Sequence, residues 1–135
     1  MVRAMILEPG RHAEVRFICP KEINSILGGE AEITEPVEGI ALAVNEEGKI
    51  KGLPLNRSLQ DEGGNISDIY AGTMVFLACT KERELHSLTD EQIILLLEEF
   101  GEPETPDDWI EDEEITFNRA DVHALLDELI NKYFS

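Results

Sequence analysis

Short apolar segments, each cut off by glycine or proline, govern what the first hundred residues of this 135-residue chain can fold into. Segments of about four to eight residues suit strands and are too short for most helices. Arg3 to Glu8 reads as a buried strand, and Pro9-Gly10 turns it toward a second strand, Glu14 to Ile18, as a hairpin. Glu30, Glu32 and Thr34 alternate with Ala31 and Ile33, the period of a half-buried strand. Ile40 to Val44 is the next, and Asn45-Glu46-Glu47-Gly48 favours a tight reversal into Lys49 to Gly52. Pro54 has no N–H to give a ladder, so a loop is expected from Leu53 to Asp68, with Gly63-Gly64-Asn65 as its flexible part. Ile69 then opens the longest apolar strand, Ala71 to Cys79, interrupted by Gly72.

Helical signals are fewer. Pro20 suits the first turn of a short helix, Lys21 to Leu27, which buries Ile23, Ile26 and Leu27 and ends at Gly28-Gly29. Thr89-Asp90-Glu91-Gln92 has the form of a capping box, and Ile93, Leu96, Leu97 and Phe100 follow at helical spacing until Gly101. Asn118 can cap a last helix whose Val122, Leu125, Leu126, Leu129, Ile130 and Tyr133 form one apolar stripe. That stripe needs cover, from the body by default, otherwise from a second copy or a partner's groove. The expected fold is α+β: about six short strands in a mainly antiparallel sheet covered by helices, then an acidic linker and an amphipathic helix. Two parts are expected, a body over residues 1–101 and an extension over residues 102–135.

The pieces Ile6-Leu7-Glu8-Pro9-Gly10, Gly28-Gly29-Glu30, Gly39 to Gly48, Gly52-Leu53-Pro54-Leu55-Asn56-Arg57, Asp68 to Thr73 and Ser87 to Ile93 stand in one order with compatible spacing. In that order they resemble domain of unknown function 3846, over roughly residues 4 to 100. The resemblance implies an accessory protein of bacterial viruses, plasmids or conjugative elements, a setting in which antirestriction genes also occur. It carries no activity and does not reach the extension.

From Glu102 to Glu114 there are eight carboxylates and no Lys or Arg, and the chain as a whole has a net charge of −18. A field of that sign disfavours nucleic acid and anionic membrane and attracts basic proteins or cations. Within the run, Trp109 is out of place for a solvated spacer and must pack on the body, the last helix or a partner. Cys19 and Cys79 stand apart in apolar settings, as buried free thiols of a reducing compartment do. With no apolar run near the ~20 residues of a membrane span, a cytoplasmic location is expected.

Two patches attract a functional reading. Within Leu53 to Asp68, Asn56 and Arg57 offer an amide and a five-donor fork suited to a phosphate or carboxylate, with Asp68, Gly72 and Thr73 nearby in sequence. Alternatively Arg57 pairs with Asp68 or a nearby Glu and pins the loop, and Gly72 marks a bulge or tight packing. The second patch is Asp107, Asp108, Trp109, Glu111, Asp112, Glu113 and Glu114, a surface for a basic partner. As a regular helix, residues 102–114 would approach the charge density of duplex DNA, one charge per ~1.7 Å. His12, His86 and His123 lack metal-ligand spacing, and no nucleophile motif is present, so neither catalysis nor a cofactor or metal is expected. The leading expectation is a non-catalytic acidic accessory protein that occupies a basic site on a host protein, as a nucleic-acid mimic or anti-defence factor. The alternative is a module binding a nucleotide or phosphorylated metabolite at the Arg57 loop, and a third expectation is a homodimer through the C-terminal stripe.

Overall fold

Three strands with apolar residues on both faces organise the protein, seen in a computed structural model that describes residues 1–61, 63–109 and 130. These are β1 (Val2–Leu7), β4 (Ile40–Asn45) and β7 (Met74–Cys79). Around them lie β2 (Glu14–Ile18), β3 (Ala31–Val37) and the two-residue β8 (Leu85–His86). The sheet runs β2-β1-β7-β4-β3, with β8 also on β7, and every pairing is antiparallel. Because side chains alternate across a strand, each central strand feeds two cores. Met5, Leu7, Leu42, Val44, Met74 and Phe76 meet Leu88, Leu96 and Phe100 on one face. On the other, Ala4, Ile6, Ala43, Val75 and Leu77 meet Ile18, Ile23 and Leu27.

The helices lie on opposite faces. Residues Pro20–Glu22 form a 3-10 turn that continues into α1 (Ile23–Leu27), and Gly28 ends it at φ +74°, a conformation open to glycine. The second helix, α2 (Asp90–Phe100), begins with the expected capping box, Gln92 N–H donating to Thr89 Oγ1 at 3.1 Å and Thr89 N–H to Gln92 Oε1 at 2.9 Å. Phe100 stacks on Phe76 with centroids 5.1 Å apart. No described helix is long and apolar enough to cross a membrane.

The reversal expected at Asn45 to Gly48 is present, Gly48 N–H donating to the Asn45 carbonyl, and it continues as successive turns through residue 52, with Lys51 N–H bonded to the Glu47 carbonyl and Leu53 N–H to that of Gly48. Two other expectations fail on local geometry. The loop expected from Leu53 to Asp68 is a hairpin: β5 (Leu55–Gln60) pairs with β6 (Ile66–Ala71) as a separate two-stranded sheet. Pro54 precedes that strand instead of interrupting it, and the Gly63-Gly64 patch is its turn. The apolar run Ala71 to Cys79 is cut in two, since Gly72, at φ +83°, and Thr73 switch the chain between sheets. The positive φ is what calls for glycine at 72, and a Cβ there would also meet the end of the Leu53 side chain, Cδ1, at 2.8 Å.

Cys19 and Cys79 are free but half-buried, more open than expected. The helix from Asn118 with its stripe, together with Glu111, Asp112, Glu113 and Glu114, lies outside the described residues except for Ile130.

Candidate functional site

Where β5 passes the end of α2, the pairing register shifts between Leu55 and Ser58. A bulge of this kind breaks the alternation of a strand, and here Asn56, Arg57 and Ser58 are all buried in succession. Arg57 is completely buried, with 0 % exposure. Its Nε donates to the carbonyl of Phe100 at 2.7 Å and of Glu102 at 3.2 Å, and its Nη2 to that of Arg11 at 2.6 Å. Nη1 reaches the Glu8 carbonyl at 3.3 Å and Asn56 Oδ1 at 2.7 Å. Asn56 in turn donates to the carbonyls of Leu7 at 2.7 Å and Gly72 at 2.8 Å. One guanidinium thus ties the end of β1, the turn after it, the C-terminus of α2 and the start of the acidic run.

Burial pushes the Arg57 pKa below its ordinary value, while the nearby Glu104 and Glu102 carboxylates push it back up. The carbonyls at the C-terminus of α2 also carry the negative end of the helix dipole, which favours a cation there. Arg57 therefore closes the body from within and presents no fork to solvent. Asp68 is not its partner: Asp68 Oδ1 accepts from Lys49 Nζ at 2.7 Å. Gly72 gives its N–H to the Pro54 carbonyl, and Thr73 only links β6 to β7. The five residues grouped along the sequence thus divide into a buried clasp (Asn56, Arg57, Gly72), a surface ion pair (Asp68) and a connection (Thr73).

The acidic run starts on this clasp. Glu104 Oε1 accepts from Ser58 N–H at 3.0 Å, Ser58 Oγ at 2.7 Å and the indole N–H of Trp109 at 3.0 Å. Trp109 is buried at the end of a 3-10 turn, Pro106–Trp109, whose Asp107 and Asp108 are exposed. Thr105 N–H donates to Asp108 Oδ2 at 2.7 Å and fixes that turn. The boundary drawn at Gly101 cuts through these contacts, because residues 102–109 are tied to the body. Residues 102–105 are not helical, so the continuous helix assumed for charge-density mimicry is absent over the described part of the run.

Beside Glu104 opens a pocket of about 420 Å³ between the β5–β6 hairpin, the end of α2 and the bend in β3. Val37, Leu59, Phe76 and Phe100 supply apolar wall, and Ser58, Gln60, Asp61, Ser67, Glu99 and Glu104 supply oxygen acceptors. Among the described residues, none that lines it is Lys, Arg or His. Such a wall suits a cation with an apolar stem and opposes a phosphate. Sequence reasoning missed Ser58, Glu99 and Glu104 as a group, because their meeting depends on contacts 46 residues apart. No local signal marks Arg57 as inward-facing, because the bulge between Leu55 and Ser58 breaks the alternation on which strand parity relies.

Among the described residues, no three His, Cys, Asp or Glu side chains converge as metal ligands. His12 and His86 are exposed on the surface near Glu102 and Glu84, and His123 lies outside the described residues.

The family model described as domain of unknown function (DUF3846) matches residues 2–101 of the 135, and the chain belongs to that family. No curated protein and no solved structure matches it.

Proposed function

We propose that this DUF3846 member is a non-catalytic binding protein whose acidic face receives a basic segment of another protein. The observation that carries the reading is the anchoring of Trp109 and Glu104 on Ser58, which holds the start of the acidic run against a pocket whose described lining carries no positive charge. An acidic run used only for solubility has no need of a buried tryptophan and a shared carboxylate to fix its position. A lysine or arginine of the partner would lay its methylene stem on Phe76 and Phe100 and its charge among Asp61, Glu99 and Glu104. In the mobile-element setting that the family resemblance implies, the partner would be a host protein that handles nucleic acid, and the role interference with it. The phosphate-binding alternative loses its principal residue, since every nitrogen of Arg57 already donates within the protein.

The test is capture from nuclease-treated bacterial lysate with the full chain and with a Glu99→Gln, Glu102→Gln, Asp107→Asn variant, each eluted by rising salt. These side chains are exposed and none of them makes a hydrogen bond in the clasp, which uses only the main-chain carbonyl of Glu102. Retention of a basic protein by the parent chain, released as the Debye length shrinks below about 10 Å and lost in the variant, is the expected result. Retention that ignores both salt and the three substitutions would overturn the proposal, as would an empty capture.

A further inference from the structure

The two edges of the main sheet are built differently. At one end, β3 contains Pro36 and its register shifts between Thr34 and Val37, two devices that blunt an edge against further pairing. At the other, β2 pairs with β1 in unbroken register from Val2↔Ile18 to Ile6↔Glu14, and among the described residues no strand lies on its outer side. Its five residues leave an open ladder of about 17 Å.

Apolar surface gathers along this open edge. Val15 is 40 % and Phe17 65 % exposed, and both fall on the α2 side of the sheet, because Val15 stands opposite Met5 and Met5 packs with Leu96 and Phe100. On α2, Asp90, Ile94, Leu97 and Gly101 recur at i, i+4, i+7 and i+11 and so share one flank. One end of that flank is held by Arg3 Nη2 on Asp90 at 2.8 Å, the other by Ala13 N–H on the Gly101 carbonyl at 2.9 Å. The flank therefore faces the β1–β2 edge, and its Ile94 and Leu97, 58 % and 42 % exposed, extend the patch made by Val15 and Phe17.

Charge selects the occupant. Within the hairpin, residues 2–18, there are three bases (Arg3, Arg11, Arg16) and two acids (Glu8, Glu14), so it lacks the acidic excess of a chain of −18 and repels a second copy of itself little. If β2 pairs antiparallel with another β2 about Val15, Glu14 faces Arg16 of the second copy and Arg16 faces its Glu14. Val15 then meets Val15, and the pairing ends at Glu14, because the N–H of Ala13 is held by the Gly101 carbonyl. Shifting the centre by one residue sets Glu14 on Glu14 or Arg16 on Arg16, which specifies the register. We infer that two copies of this chain associate through antiparallel β2–β2 pairing centred on Val15, joining their sheets and covering the Phe17–Ile94–Leu97 patch. This surface lies apart from the acidic pocket and does not depend on the function proposed for it.

Sedimentation equilibrium of the full chain and of Arg16→Glu, Glu14→Arg and the double charge swap tests the inference. Each single reversal puts like charges opposite one another twice and should weaken the dimer by about tenfold or more, whereas the swap should restore it to within about threefold. A monomeric parent chain at ~1 mM, a dimer indifferent to the single reversals, or a swap no better than they are would each overturn it. Should a single variant fail to fold, hydrogen exchange of the parent chain decides. Protection of the β2 amides that rises with protein concentration supports the pairing, and protection that does not change refutes it.

Discussion

Replacing Arg57 by methionine should remove a large part of the stability of this protein. The guanidinium makes five hydrogen bonds, four of them to main-chain carbonyls of Glu8, Arg11, Phe100 and Glu102. Hydrogen bonds to a charged group contribute about 1.5–3 kcal/mol each, but bonds from one side chain do not add independently. Methionine fills much of the volume, so the cost comes from acceptors left unpaired inside the protein. A buried acceptor left unpaired costs about 1–3 kcal/mol, so the shared set should lose about 3–5 kcal/mol, against a total stability of ~5–15 kcal/mol for a domain. For a chain of this length that corresponds to a fall in Tm of roughly 10–20 °C. Arg57→Lys should recover little, since three donors on one nitrogen cannot reach carbonyls spread around a fork. Urea unfolding followed by far-UV circular dichroism and by the single tryptophan, Trp109, measures both body and acidic segment in one titration. A methionine variant within ~1 kcal/mol of the parent chain, or a lysine variant within ~0.5 kcal/mol of it, would refute the clasp.

Three other outcomes are expected. Glu104→Ala leaves Ser58 N–H and the Trp109 indole without their acceptor and should cost about 2–3 kcal/mol, with a red-shifted and more quenchable emission; unchanged emission would show that Trp109 is held otherwise. Thr89→Ala removes half of the α2 capping box and should cost about 1 kcal/mol in thermal unfolding, where no change would discount the cap. Burial, then the hydrogen bond and charge of Glu35, push the Cys79 pKa up, so its thiol should react slowly with alkylating agents and several-fold faster in Glu35→Gln. Because the folded state favours the protonated thiol, that contribution is present below the ordinary thiol pKa and is lost as pH rises through the folded value. A rate unaffected by the substitution would remove Glu35 from the explanation.

How much of this was legible in the sequence depends on the reach of the interaction concerned. The β1–β2 hairpin and the capping box of α2 were readable because each rests on residues adjacent in the chain. The β5–β6 hairpin is hidden in the sequence because Pro54 and Gly63-Gly64 signal irregularity without saying on which side of a strand they fall. Arg57 drew notice for its donors, but its acceptors at Phe100 and Glu102 lie 43 and 45 residues away, and only tertiary structure shows them to be main-chain carbonyls. Trp109 was seen to need a partner, whereas the choice of Glu104 and Ser58 follows from the β5 bulge, which leaves no local trace.

The clasp also orders events while the chain is being made. Arg57 is synthesised 43 residues before Phe100, an interval of about 2–9 s at 5–20 residues per second. Until Phe100 and Glu102 have left the ribosome, closing the hairpin over the sheet would dehydrate a cation that has only Glu8, Arg11 and Asn56 to receive its protons. The guanidinium should keep the hairpin in water over that interval, leaving the sheet face open for α2 to dock when it emerges. A side chain that locks the finished body thereby delays its own burial until the last strap of the fold has arrived.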